Sequence, residues 1–97
     1  MFEVRQTKCF SNWLMSLRDR QARARILKRL DRARRGNLGD DAPVGSGISE
    51  MRIFHGPGYR IYFVQRGESL ILLLCGGDKS MQAADIARAK ALAEGLE

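Results

Sequence analysis

The chain has 97 residues, 44% of them hydrophobic and 29% charged, with 17 Lys/Arg against 11 Asp/Glu and a formal charge of +6. That length holds one core, so a single domain over residues 1–97 is expected, and the composition excludes a disordered chain. Two cysteines, Cys9 and Cys75, are too few for a disulfide scaffold and lack metal-ligand spacing, so both are expected as free, mostly buried thiols.

Met1–Arg5 lacks the basic start and apolar run of a signal peptide. The longest apolar run, Leu70–Cys75, is far too short to span a bilayer. A cytoplasmic protein with no membrane partner is expected. Charge is unevenly spread: residues 1–35 hold 11 Lys/Arg against 3 Asp/Glu, and residues 36–97 hold 6 against 8. Such a basic N-terminal portion suits a polyanion or an acidic partner, or is simply a solvated face.

In chain order, Phe2–Thr7 alternates apolar and polar residues as a half-buried strand does. Phe10, Trp13, Leu14 and Leu17 then share one helical face, with Thr7 or Ser11 available as N-cap. Asp19 stands where a cap opens a second helix, about Arg20–Arg35, whose stripe of Ala22, Ile26, Leu30 and Ala33 faces a core. Arg25, Lys28, Arg32 and Arg35 fall on the opposite side, with Arg29 at the margin. Gly36-Asn37 closes this helix and Asn37–Gly47 reads as a loop. Three strands follow, Ile48–Phe54, Tyr59–Arg66 and Ser69–Cys75, separated by His55-Gly56-Pro57-Gly58 and Gly67-Glu68. Gly76–Ser80 reads as a loop leading into a last helix from Met81 to about Leu92. The expected fold is α+β: an N-terminal strand and helical hairpin packed on an antiparallel sheet, with a C-terminal helix.

No HExxH, GxSxG, GxGxxG or Walker sequence is present and no Cys/His cluster could bind zinc, so neither a metal nor a cofactor is expected. Glu50-Met51-Arg52-Ile53 and Gly58-Tyr59-Arg60-Ile61-Tyr62-Phe63 are more telling. If Arg52 and Arg60 share one face of neighbouring strands, two guanidinium groups converge beside Tyr62, a surface for phosphates and an unstacked base. That sharing requires paired residues in this hairpin to have an even sum of numbers. The alternative pairs Arg52 with Glu50 or a loop acid and leaves Tyr62 at the core edge. Lys79, after two glycines, is a further candidate anion contact, or a solvated loop lysine. His55 is the single imidazole, but its place in a Gly-Pro-Gly turn suggests an exposed residue without a role.

Together these segments resemble a known family. Phe10…Trp13-Leu14…Leu17, Gly36-Asn37…Gly39-Asp40, Val44-Gly45…Gly47-Ile48, Glu50-Met51-Arg52-Ile53, Gly56-Pro57-Gly58-Tyr59-Arg60-Ile61-Tyr62-Phe63 and Leu72-Leu73-Leu74…Gly76-Gly77-Asp78-Lys79…Gln82…Asp85-Ile86 are similar to the phage-related, HigB-like addiction module killer proteins of the RelE/ParE superfamily. The resemblance covers about residues 2–90, with Met51 where leucine is usual, a volume-conserving change.

It implies the toxin half of a type II toxin–antitoxin pair, neutralised by a small helix-turn-helix antitoxin, and an endoribonuclease that cuts mRNA on translating ribosomes. By motif, Arg52, Arg60 and Lys79 would hold the scissile phosphate, with Tyr62 beside them. Alanine in place of either arginine is expected to spare the fold. Arg25, Lys28, Arg32 and Arg35 are expected to face ribosomal RNA or an acidic stretch of antitoxin. No tyrosine or histidine follows Ser80, so the resemblance names no general base. The alternatives are a ParE-like inhibitor of DNA gyrase and a basic nucleic-acid-binding phage accessory protein without toxicity.

Overall fold

The computed structural model describes residues 1–95. Strand β1 (Glu3–Gln6) leads into helices α1 (Lys8–Ser16) and α2 (Arg20–Arg34). Strands β2 (Asp41–Gly45), β3 (Ile48–Ile53), β4 (Tyr59–Arg66) and β5 (Leu70–Asp78) follow, then a 3₁₀ turn (Lys79–Met81) and helix α3 (Gln82–Gly95). The five strands form one sheet in the order β1-β5-β4-β3-β2. The fold is α+β, with the N-terminal strand, hairpin and C-terminal helix expected from sequence.

Helix α1 starts at Thr7, whose hydroxyl accepts from the Phe10 N–H at 3.1 Å and donates to the Leu74 carbonyl at 2.6 Å. Asp19 caps α2, its Oδ1 accepting from the Gln21 and Ala22 N–H groups. The α2 stripe of Ala22, Ile26, Leu30 and Ala33 is buried with Phe10 and Leu14 against Met51, Ile53, Ile61, Phe63, Ile71 and Leu73 of the sheet. Trp13 and Leu17 pack on the margin of this core. On the other face, Ile48, Tyr62, Leu74 and Cys75 pack against Ala89, with Ile86, Leu92 and Ala93 at its border. The sheet is thus covered on both sides.

Three details depart from the sequence reading. The sheet is mixed, because β1 pairs with β5 in parallel. Residues Asp41–Gly45, expected within a loop, form edge strand β2, where Ala42 and Val44 are half-buried and alternate with exposed neighbours. Pro43 is tolerated there because an edge strand leaves one side without ladder bonds. Gly76-Gly77-Asp78, also expected as loop, continues β5. Those two glycines serve close approach instead of a turn: a Cβ on Gly76 would run into the Trp13 ring, and one on Gly77 would meet Asp85 Oδ2. A bulge opposite Tyr62/Phe63 turns Leu74 and Cys75 to the same side, which brings Gly77 opposite Arg60 on the α3 face.

Candidate functional site

Register decides whether the two strand arginines meet. In the β3–β4 hairpin Arg52 pairs with Arg60, Glu50 with Tyr62 and Ile48 with Val64, an even sum throughout. Arg52, Arg60 and Glu50 therefore lie on the α3 face, near the first turn of that helix, where Gln82 reaches Glu50.

Glu50 organises this corner. Only 1% exposed, it accepts from Arg52 Nε at 2.9 Å and from Gln82 Nε2 at 2.9 Å, and lies 3.9 Å from Arg60 Nη1. Arg52 also approaches Asp40 at 3.6 Å. The Glu50 hydrogen bond, helped by Glu50 and Asp40 charge, holds the Arg52 guanidinium above its ordinary pKa. The bland pairing of Arg52 with Glu50 is thus realised, and the two arginines converge as well. Each guanidinium has five N–H donors in a rigid fork, so one carboxylate fixes their orientation without using them up. Because Glu50 is buried, alanine in place of either arginine removes one cationic neighbour of a buried carboxylate and is expected to lower stability.

Tyr62 does not serve as a stacking ring. It is fully buried with Ile48, Leu74, Cys75 and Ala89 under α3, so no base can reach its face. Burial, then the nearby Glu50 and Asp85 carboxyls, push its phenol well above its ordinary pKa. Its hydroxyl, Arg60 Nε and Asp85 Oδ2 are buried without hydrogen-bond partners among the described residues. Asp85 is 4% exposed and burial raises its carboxyl, with Arg88 opposing. Burial likewise pushes the Cys75 thiol up to about 12, and both Cys75 and Cys9 are free.

Lys79 is exposed at the 3₁₀ turn, its N–H bonded to the Gly58 carbonyl at 2.7 Å. It lines a cavity of about 370 Å³ with Arg60, Ile53, Phe54 and the His55–Gly58 loop. Arg60 and Lys79 therefore meet in one cavity, and Arg52 is joined to Arg60 through Glu50. His55 departs from its expected idle place: its side chain is 17% exposed, and Nε2 lies 3.0 Å from Asp19 Oδ2. Hydrogen bonds, first from the Ala22 N–H and next from His55, hold the Asp19 carboxyl below its ordinary range.

On α2, Arg25, Lys28 and Arg32 line an open groove with the exposed Leu27 and Phe54. Ile53 and Phe54 line both the groove and the cavity. Arg35 stands apart from the groove, paired with Asp31 at 3.1 Å. Arg29 turns inward and donates to the carbonyls of Arg52, Leu38 (3.0 Å) and Asp40 (3.2 Å), tying the β2 approach to the back of β3. Glu50, Gln82, Asp19 and Arg29 are the organising residues that motif reading underrates. Glu50, two positions from Arg52 on the same face, and Asp19, at the cap position of α2, carried a signal; the contacts of Gln82 and Arg29 did not. Among the described residues no group of three His, Cys, Asp or Glu is placed to hold a metal ion.

No family model matches the chain. It is 45% identical over 94 residues to an uncharacterized protein of Haemophilus influenzae, a match spanning 97% of this chain and 95% of that one. The chain belongs to the same family as that protein. A match of this extent takes in the arginine hairpin, the His55 loop and α2 together, so the family shares a domain of this size and not an isolated motif.

Proposed function

We propose that the protein is the toxin of a type II toxin–antitoxin pair and acts as a ribosome-dependent mRNA endonuclease. The observation that carries this reading is the placement of Arg52 directly opposite Arg60 on one sheet face, with Arg60 and Lys79 lining one cavity. In the reaction the ribose 2′-oxygen attacks the adjacent phosphate and the 5′-oxygen departs. Charge builds on the phosphoryl oxygens as it does so. Guanidinium groups already oriented by a buried carboxylate neutralise that charge without reorganising, which is where electrostatic catalysis is strongest. Arg25, Lys28 and Arg32 extend the cationic surface along a strand of RNA. The partners are a small helix-turn-helix antitoxin, the ribosome and mRNA, and the site of action is the cytoplasm, where translation occurs.

Induced expression followed by mapping of mRNA 5′ ends tests this. Growth arrest with new 5′ ends inside translated reading frames supports the reading; arrest with intact mRNA counts against it. A second reading, a ParE-like inhibitor of DNA gyrase, draws on Leu27 (51% exposed) and Phe54 (78% exposed), apolar side chains in a basic groove that suit a protein target. An SOS response with intact mRNA favours it.

A further inference from the structure

We infer that His55 is the proton acceptor of the proposed cleavage and that Asp19 is its positioning residue; the inference rests on the endonuclease reading above. Four observations converge on it. The imidazole lines the same cavity as Arg60 and Lys79. Its loop is tied down: the His55 N–H bonds the Ile53 carbonyl at 3.0 Å, its carbonyl accepts from the Gly58 N–H at 3.1 Å, and Gly58 in turn holds Lys79. Gly56 and Gly58 take the positive φ angles (55° and 83°) that this path needs. The fourth is the Asp19 contact at 3.0 Å.

That contact selects the tautomer. A carboxylate only accepts, so the imidazole nitrogen facing Asp19 carries the hydrogen, and Nδ1 keeps its lone pair. Nδ1 has no hydrogen-bond partner among the described residues. Asp19 divides its oxygens, Oδ1 capping α2 and Oδ2 holding His55, so the rigid start of a fifteen-residue helix orients the base. Asp19 at the α2 cap contacts the imidazole, and Arg60 on β4 and Lys79 on the 3₁₀ turn line the same cavity.

Nδ1 takes the 2′-hydroxyl proton as the O2′–P bond forms. The P–O5′ bond breaks, the 5′-oxygen takes a proton from water, and the imidazolium returns its proton to water. The products are a 2′,3′-cyclic phosphate and a 5′-hydroxyl end.

The test uses full-length protein with translating ribosomes and a labelled mRNA, comparing wild type, His55→Gln and Asp19→Asn between about pH 5 and 8. Glutamine preserves a donor toward Asp19, and asparagine is as good an N-cap as aspartate, so both variants keep α2 anchored. Wild-type cleavage should rise with pH along a single-proton limb. His55→Gln should lose roughly 10²–10⁴-fold in rate, and that limb with it. Asp19→Asn should lower kcat with KM unchanged, because the imidazole loses the carboxylate that holds its tautomer and orientation. A His55→Gln rate within about twofold of wild type, with the limb retained, overturns the inference while the endonuclease reading stands. An undiminished kcat in Asp19→Asn overturns the positioning role. A wild type that leaves mRNA intact removes the endonuclease reading, and the inference falls with it.

Discussion

Glu50 shows how one residue can hold a site together without being conspicuous in the sequence. Parity alone placed it with Arg52 and Arg60, but its burial and its bond to Gln82 depend on α3, which alternation in β3 cannot reveal. The two glycines of β5 mislead in the opposite direction. Gly-Gly commonly marks a turn, whereas Gly76 is small because the Trp13 ring lies on it. Gly76→Ala should therefore lower the melting temperature, with about 1–3 kcal/mol of overpacking and about 4–8 °C per kcal/mol for a domain of this size. An unchanged thermal melt would contradict the close approach of Trp13 to Gly76. Asp85 makes a separate, pH-dependent prediction. Its carboxyl is raised in the folded state by burial, so the unfolded chain gives up this proton first and stability falls as pH rises toward the folded value. Asp85→Asn has no proton to lose. Its stability advantage over wild type should be smallest in acid and grow as pH rises, levelling off once the folded Asp85 is ionised. Melts across the pH range that gave a pH-independent difference would contradict the assignment.

Helix α2 was the most legible element, since its apolar stripe and its N-cap both follow directly from residue spacing. Its polar side was only partly legible. Arg25, Lys28 and Arg32 line the groove as a basic face should, yet Arg35 is taken up by Asp31 and Arg29 by three main-chain carbonyls. Helical periodicity locates a face, but the partners of long side chains at its margin come from loops far along the chain. Replacing both Lys28 and Arg32 with Gln should weaken ribosome binding and flatten its salt dependence by about 0.7–0.9 log units for each phosphate no longer neutralised. Thermal stability should hardly change, because neither side chain makes an ion pair among the described residues and both are exposed. Unaltered affinity and salt slope would return these residues to the role of a solvated face. Strand β2 escaped the sequence reading because five residues containing Pro and two with turn preference resemble a loop until a partner strand is present.

Across the whole molecule, the helical hairpin covers one face of the sheet and α3 the other, and Arg52 and Arg60 pair near the end of the β3–β4 hairpin. Main-chain order and the helix–sheet layering were readable because local periodicity determines them. The mixed sheet was not, since the parallel pairing of β1 with β5 joins residues more than sixty positions apart. We propose that this corner cuts mRNA on the ribosome through its paired arginines. It is tested most directly with purified protein in a reconstituted translation reaction, comparing wild type with Arg60→Lys, which keeps a cation for Glu50 but loses the planar fork. Cleavage is expected only when ribosomes are present, leaving a 2′,3′-cyclic phosphate upstream, with the rate reduced about 10²–10³-fold by Arg60→Lys at unchanged fold. Intact mRNA with the wild type, or undiminished cleavage by Arg60→Lys, would contradict it.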